Sequence, residues 1–243
     1  LAIAGAGVAL VLGVGAVKAA ADFESQLNTI NTVAQATPAQ LDAIGDGIRK
    51  IARDTGAPLE ELTQGFYDLV SAGIAADQAQ RVLASSNRLA IGGLASAAEG
   101  VDLLTTALNS YGVAAKDQGV QSERFADIFA KSIEKGKVTA AQLAASFATV
   151  GPIAAKSGIE IEELAAGDAT LTAQGVPAAE AATQMRSAIV GLLSPNAKLN
   201  AIQKATKVNF AELAKQKGLV VALERLRVEA KKAGVPLIDV LGR

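Results

Sequence analysis

Half of this sequence is hydrophobic, but only 3% of it is aromatic and none of it is Trp. About one residue in five is Ala, well above ordinary usage. A large globular core draws much of its burial from Phe, Tyr and Trp. A chain of Ala, Leu, Ile and Val with 23 Gly residues instead packs thin helices closely. The expected class is all-α, with an elongated or assembled multi-helix body favoured over a compact enzyme. Its 243 residues suffice for one sizeable core or two small ones.

Apolar spacing and turn residues divide the chain into helices. Phe23, Leu27, Ile30 and Val33 with Ala34 fall on one stripe at helical spacing. Thr37-Pro38 reads as an N-cap followed by Pro at the first helical position, with Leu41, Ile44, Ile48 and Ile51 inward and Gly56 closing. Pro58 opens a helix carrying Leu62, Phe66 and Leu69 that ends near Gly73, and Asp77 begins another that Gly92-Gly93 stops. Ser96 with Glu99 and Thr139 with Gln142 have capping-box spacing. Ser122 is expected to lead a helix ending at Gly136. Gly151-Pro152 is expected to kink or break the helix that follows Thr139. Further helices are predicted near 160–173, 177–192, 196–206, 210–217 and 219–233, with Pro177 at a start and Gly175, Gly218 and Gly234 at ends. No run alternates as a strand does.

Leu62 and Phe66 correspond to Leu143 and Phe147 at an offset of 81 residues, which Glu99 and Glu180, and Leu108 and Ile189, also keep. The Gly-Ile pairs at 73–74 and 158–159 lie 85 apart. This predicts two related helical subdomains, with repeat cores at 57–112 and 138–194. The chain then divides into an apolar helix (1–22), amphipathic helices (23–56), subdomain one (57–136), subdomain two (137–195) and a basic helical segment (196–243).

The sequence holds no His and no Cys. That removes disulfides, thiolate metal sites, the commonest general base and every Ser-His or Cys-His nucleophile pair. Carboxylate pairs able in principle to cut a glycan are Glu60 with Glu61, and Glu160 with Glu162 and Glu163. Both groups stand at helix starts, where Asp and Glu favour the helix dipole, so they read as structural. Tyr67 and Tyr111 read as packing residues, and Asp102 and Asp127 as solvated helix faces. Gly5-Ala6-Gly7 follows no strand and makes no dinucleotide loop. No catalytic, cofactor-binding or metal site is expected.

Two stretches suggest contacts instead. Residues 1–17 carry no charge, and eight of them are Leu, Ile or Val. As a helix they rise roughly 26 Å, just short of a hydrocarbon core. Ile3, Val8, Leu10, Val11, Leu12 and Val14 therefore mark a membrane or assembly contact, with both readings open. Residues 198–232 hold nine Lys/Arg and three Glu, while residues 1–197 hold thirteen basic and twenty acidic residues. Lys204, Lys207, Lys215 and Lys217 are candidate contacts to an acidic surface, set against the alternative of a solvated, charge-paired helix face. Without interleaved aromatics or a known motif, specific nucleic-acid binding is not expected. The chain begins with Leu rather than Met, so it is expected to be a piece of something longer.

Several stretches resemble the core region of the phage tail tape measure family: AVKAAADFESQLNTINTVA (16–34), LEELTQGFYDLVSAGI (59–74), AASFATVGPIAAKSGIEIEELAAGDATLTAQGVPAAEAATQMRSAIVGLLSP (144–195) and GLVVALERLRVEAKKAG (218–234). In the third, a Gly-Pro break, a Ser-Gly-Ile turn, a Gln-Gly-Val turn and a helix carrying Arg186 before Ser194-Pro195 occur in the family's order. The resemblance spans about residues 16–243 and rests on the order of turns and helices. It implies a virion scaffold that fills the tail tube, sets its length during assembly and leaves ahead of the genome. Its implied partners are tail tube and tail tip proteins and further copies in a helical bundle, with the host membrane as a later contact through residues 1–17. The alternative function is a membrane-active, pore-forming helical protein.

Overall fold

The computed structural model describes the backbone of residues 3–92 and 94–241, and the side chains of residues 17–92 and 94–241. Among the described residues there are thirteen α-helices and no strand: α1 (Ile3–Ala34), α2 (Pro38–Thr55), α3 (Leu59–Ser71), α4 (Ala76–Ile91), α5 (Ala97–Ser110), α6 (Gln118–Lys135), α7 (Ala140–Lys156), α8 (Ile161–Ala173), α9 (Ala178–Leu193), α10 (Ala197–Thr206), α11 (Phe210–Lys217), α12 (Leu219–Lys232) and α13 (Leu237–Leu241). A single 3₁₀ turn, Ala115–Asp117, leads into α6. The fold is all-α, as the composition predicts.

Short polar side chains set where many of these helices begin. At Ser96 the hydroxyl accepts from the Glu99 N–H at 3.2 Å, and the Glu99 carboxylate accepts from the Ser96 N–H at 2.7 Å. Thr139 and Gln142 make the same reciprocal pair at 3.2 and 3.0 Å, and Thr37 and Gln40 do so ahead of Pro38. Two free N–H groups of each first turn are thereby satisfied. Helix ends fall at the expected glycines, though for differing reasons. Gly56 adopts φ 73°, the left-handed conformation that favours glycine. Gly136 has φ −90°; there a Cβ would lie 3.0 Å from the Ala169 Cα, so close approach of α8 demands the small residue.

Three helices depart from their sequence-based expectations. α6 begins at Gln118, four residues before Ser122. Ser122 is buried inside it, its hydroxyl donating to Gly119 O at 2.7 Å and lying 3.2 Å from the Ser85 hydroxyl. The earlier start is fixed by a distant partner, because Gln118 Oε1 accepts from the Ala75 N–H at 2.9 Å. α7 runs without interruption through Gly151-Pro152 to Lys156. An interior Pro forfeits one hydrogen bond and costs about 3 kcal/mol. Burial of Phe147, Val150, Gly151 and Ala154 between α5 and α9 offsets that loss. Finally, the apolar stretch and the first amphipathic stripe are one helix of 32 residues, α1, which crosses the expected division at 22/23.

The helices pack in two rows. α1, α3, α5, α7 and α9 touch in succession, and so do α2, α4, α6 and α8, while chain neighbours such as α4 and α5 join the rows. Odd-numbered helices start at Leu59, Ala97, Ala140 and Ala178, so the unit is a helix pair of about 40 residues, the size of stacked helical repeats. An offset of 81 residues therefore spans two such pairs. It superimposes buried on buried: Leu62 and Phe66 of α3, and Leu143 and Phe147 of α7, are all fully enclosed. Packing of α5 on α7 and α6 on α8 continues across the 136/137 division. At the far end α11 lies on α12, and α13 meets α9, α10 and α12.

Candidate interaction surface

The carboxylates at the helix starts each have a structural occupation or lie open to solvent. Glu60 and Glu61 are exposed in the first turn of α3, beside a surface groove that also includes Tyr67, Asp68 and Ser96. Glu162 accepts from Arg124 Nε at 2.8 Å, and Glu160 stands 3.9 Å from the same guanidinium. Among the described residues no three acidic side chains gather as metal ligands. Asp102 and Asp127 are exposed. Tyr67 packs against the core. Tyr111 joins an aromatic group with Phe125 and Phe147, at 6.3 and 6.5 Å between ring centres. Among the described residues its buried hydroxyl has no partner, and burial, with the nearby carboxylates of Glu160, Glu162 and Glu163, pushes its pKa up.

Glu163 has a role that its own helix does not reveal. Its Oε2 accepts from the Leu219 N–H at 2.9 Å, so a carboxylate on α8 caps the start of α12 from 56 residues away. Gly218 turns there with φ 100°, and a Cβ at that position would collide with the Glu163 carboxylate. A capping side chain contributes about 1 kcal/mol. Glu163→Ala is accordingly expected to lower stability by about 1 kcal/mol and to speed exchange of the first α12 amides. Urea titration and hydrogen exchange measure both, and unchanged values would show that the cap carries no stability.

The basic segment that begins near residue 198 divides into paired and unpaired cations. Lys198 pairs with Asp239 at 2.7 Å, Arg227 with Glu224 at 2.8 Å, and both Arg225 and Lys232 with Glu229 at 3.1 Å. Lys204, Lys207, Lys215 and Lys217 are exposed, and among the described residues they enter no ion pair. Lys207 ends α10 in a left-handed conformation at φ 57°, and the Lys215 stem lies so close over Gly158 that a Cβ there would sit 2.9 Å from its Cγ. Exposed Val220, Val221 and Val228 lie on the neighbouring helix α12. Among the described residues this end of the molecule thus presents four exposed lysines without an ion-pair partner.

Ile3, Val8, Leu10, Val11, Leu12 and Val14 all belong to the backbone of α1, but their side chains lie outside the described residues. Among the described residues no single helix is long and apolar enough to cross a membrane. Asp168 was not singled out by sequence reasoning, yet it is wholly buried. Its spacing carries the signal, since it continues the inward stripe Ile161, Leu164, Ala165 of α8.

A family model described as phage-related minor tail protein matches residues 45–235. The chain is 23% identical to the tape measure protein of Pneumococcus phage Dp-1 over 179 residues, covering 74% of this chain and 15% of that protein. It is 26% identical to the probable tape measure protein of Clostridium phage phiCD119 over 246 residues, covering 98% of this chain and 25% of that protein. The chain therefore spans a quarter or less of the length of these relatives. No solved structure matches it.

Proposed function

This chain belongs to the phage-related minor tail protein family, and from that premise we propose that it is one region of a tape measure protein that fills the tail tube, sets tail length during assembly and leaves ahead of the genome. The observation that carries this reading is the alignment of nearly the whole chain with part of a much longer tape measure protein. The physical character of the chain supports it. Helix pairs stacked in rows touch chiefly their neighbours, so they can separate one after another. Ala-rich helices also contribute little burial energy each, which keeps local opening cheap. Within such a tail, Lys204, Lys207, Lys215 and Lys217 face acidic groups of the tube lining or tip proteins.

In-frame deletions elsewhere in the full-length gene test the proposal by electron microscopy of tails. The expected result is shortening by roughly 1.5 Å per residue removed, the rise of an α-helix. Tails of unchanged length would discard the length-setting role. They would bring forward the membrane-active reading, which rests on the uncharged residues 1–17.

A further inference from the structure

Asp168 sits on α8, wholly enclosed, and neither of its carboxylate oxygens has a hydrogen-bond partner among the described residues. Its surroundings come from three elements. The Ser146 hydroxyl of α7 lies beside it, and that hydroxyl is also within 3.5 Å of Ala178 O at the start of α9. Met185 of α9 packs beside Gly167, where a Cβ would lie 3.0 Å from its sulfur. The charged residues of the packed helices lie at the surface: Glu123, Arg124, Asp127, Lys131, Glu134 and Lys135 on α6, Lys156 on α7, Glu180 and Arg186 on α9. None of them neutralises Asp168. On α8 itself, Glu162 and Glu163 are engaged with Arg124 and Leu219.

An enclosed carboxylate in such a place has only the Ser146 hydroxyl beside it as a side-chain donor, whereas the neutral acid needs only one acceptor for its single proton. An aliphatic residue at this position of the stripe would fit the interior better. We propose that Asp168 is a pH-dependent weak point in the stack, holding α7, α8 and α9 together when protonated and loosening them when ionised. Burial pushes its carboxyl up to about 6 from the ordinary 3.8, with the Ser146 hydroxyl pulling slightly the other way. The folded chain then binds more protons than the unfolded chain between those values. Stability is therefore greatest below the lower value, falls as pH rises towards the higher one, and stays reduced above it. Because each helix pair leans chiefly on its neighbours, the loss falls first on the α7–α9 section.

Hydrogen exchange at about pH 5 and about pH 7.5, corrected for intrinsic rates, tests this in the chain and in its Asp168→Asn variant. Protection of the α8 amides is expected to be about tenfold greater at the lower pH in the unaltered chain. In the variant that difference is expected to vanish, while α2 and α4 respond alike in both proteins. The same pH response of α8 in both would overturn the proposal. Should the variant fail to fold, the Asp168 carboxyl of the unaltered chain is titrated by ¹³C NMR. A midpoint above about pH 5 supports the proposal, and one at or below that value overturns it.

Discussion

Replacing Phe147 with Ala is expected to remove about 3–5 kcal/mol of folding free energy. The side chain is fully enclosed on α7, its ring set edge-on against Phe129 at 5.0 Å and tilted towards Tyr111 at 6.5 Å. Loss of the ring withdraws its burial from water, its aromatic contacts and the close packing of α7 between α5 and α9. Phe147→Leu keeps most of the volume and is expected to cost under about 1.5 kcal/mol. Urea titration followed by circular dichroism, with exchange of the α5 and α9 amides to localise the effect, provides the measurement. A loss below about 1 kcal/mol for the Ala variant would mean that the row relaxes around the cavity and does not depend on this ring.

Gly100→Val is expected to destabilise by about 1–3 kcal/mol, even though Val is the better helix former of the two. A Cβ at Gly100 would lie 2.7 Å from Ser86 O, a backbone atom of α4 that no rotamer change can move. The substitution must push α4 and α5 apart, and that contact joins the two rows. Gly47→Ala is the informative control. There the new Cβ meets only the amide end of Gln80, a half-buried side chain whose flexible end can swing away at the loss of its 2.9 Å bond to Ala43 O. Helix propensity favours that change by about 1 kcal/mol, so its net effect is expected near zero or stabilising. Equal destabilisation by both substitutions would show that the α4–α5 approach at Gly100 constrains the fold no more than the Gln80 contact at Gly47.

The helices themselves were open to reading from the sequence because their signals act over three or four residues. Ser96 with Glu99 and Thr139 with Gln142 form their capping boxes within a single turn. The stripe Ile44, Ile48, Ile51 buries one face of α2 whatever lies opposite. The turn residues at 175, 218 and 234 end helices through backbone conformations that glycine adopts freely. The 81-residue offset was visible as well, although not its division into two helix pairs of about 40 residues, because the pair starts at Leu59, Ala97, Ala140 and Ala178 are unevenly spaced.

The candidate surface was legible only as a list of cations. Nine basic residues lie within 198–232, and nothing local distinguishes Lys198, tied to Asp239 across 41 residues, from Lys204, which has no such partner. Asp168 was hidden among ordinary helix acids, although its place on the apolar stripe of α8 marks it.

Local chemistry in the sequence by itself thus determined the helical class, most helix boundaries and the identity of the inward faces. Tertiary structure alone decided the order of the rows, the capping of α12 by Glu163, the start of α6 at Gln118 and the survival of α7 through Pro152. The physical reason is range. Periodicity and caps are settled by residues within one turn, whereas a partner 43 or 56 residues away, or packing strong enough to outweigh a proline, exists only once distant helices meet.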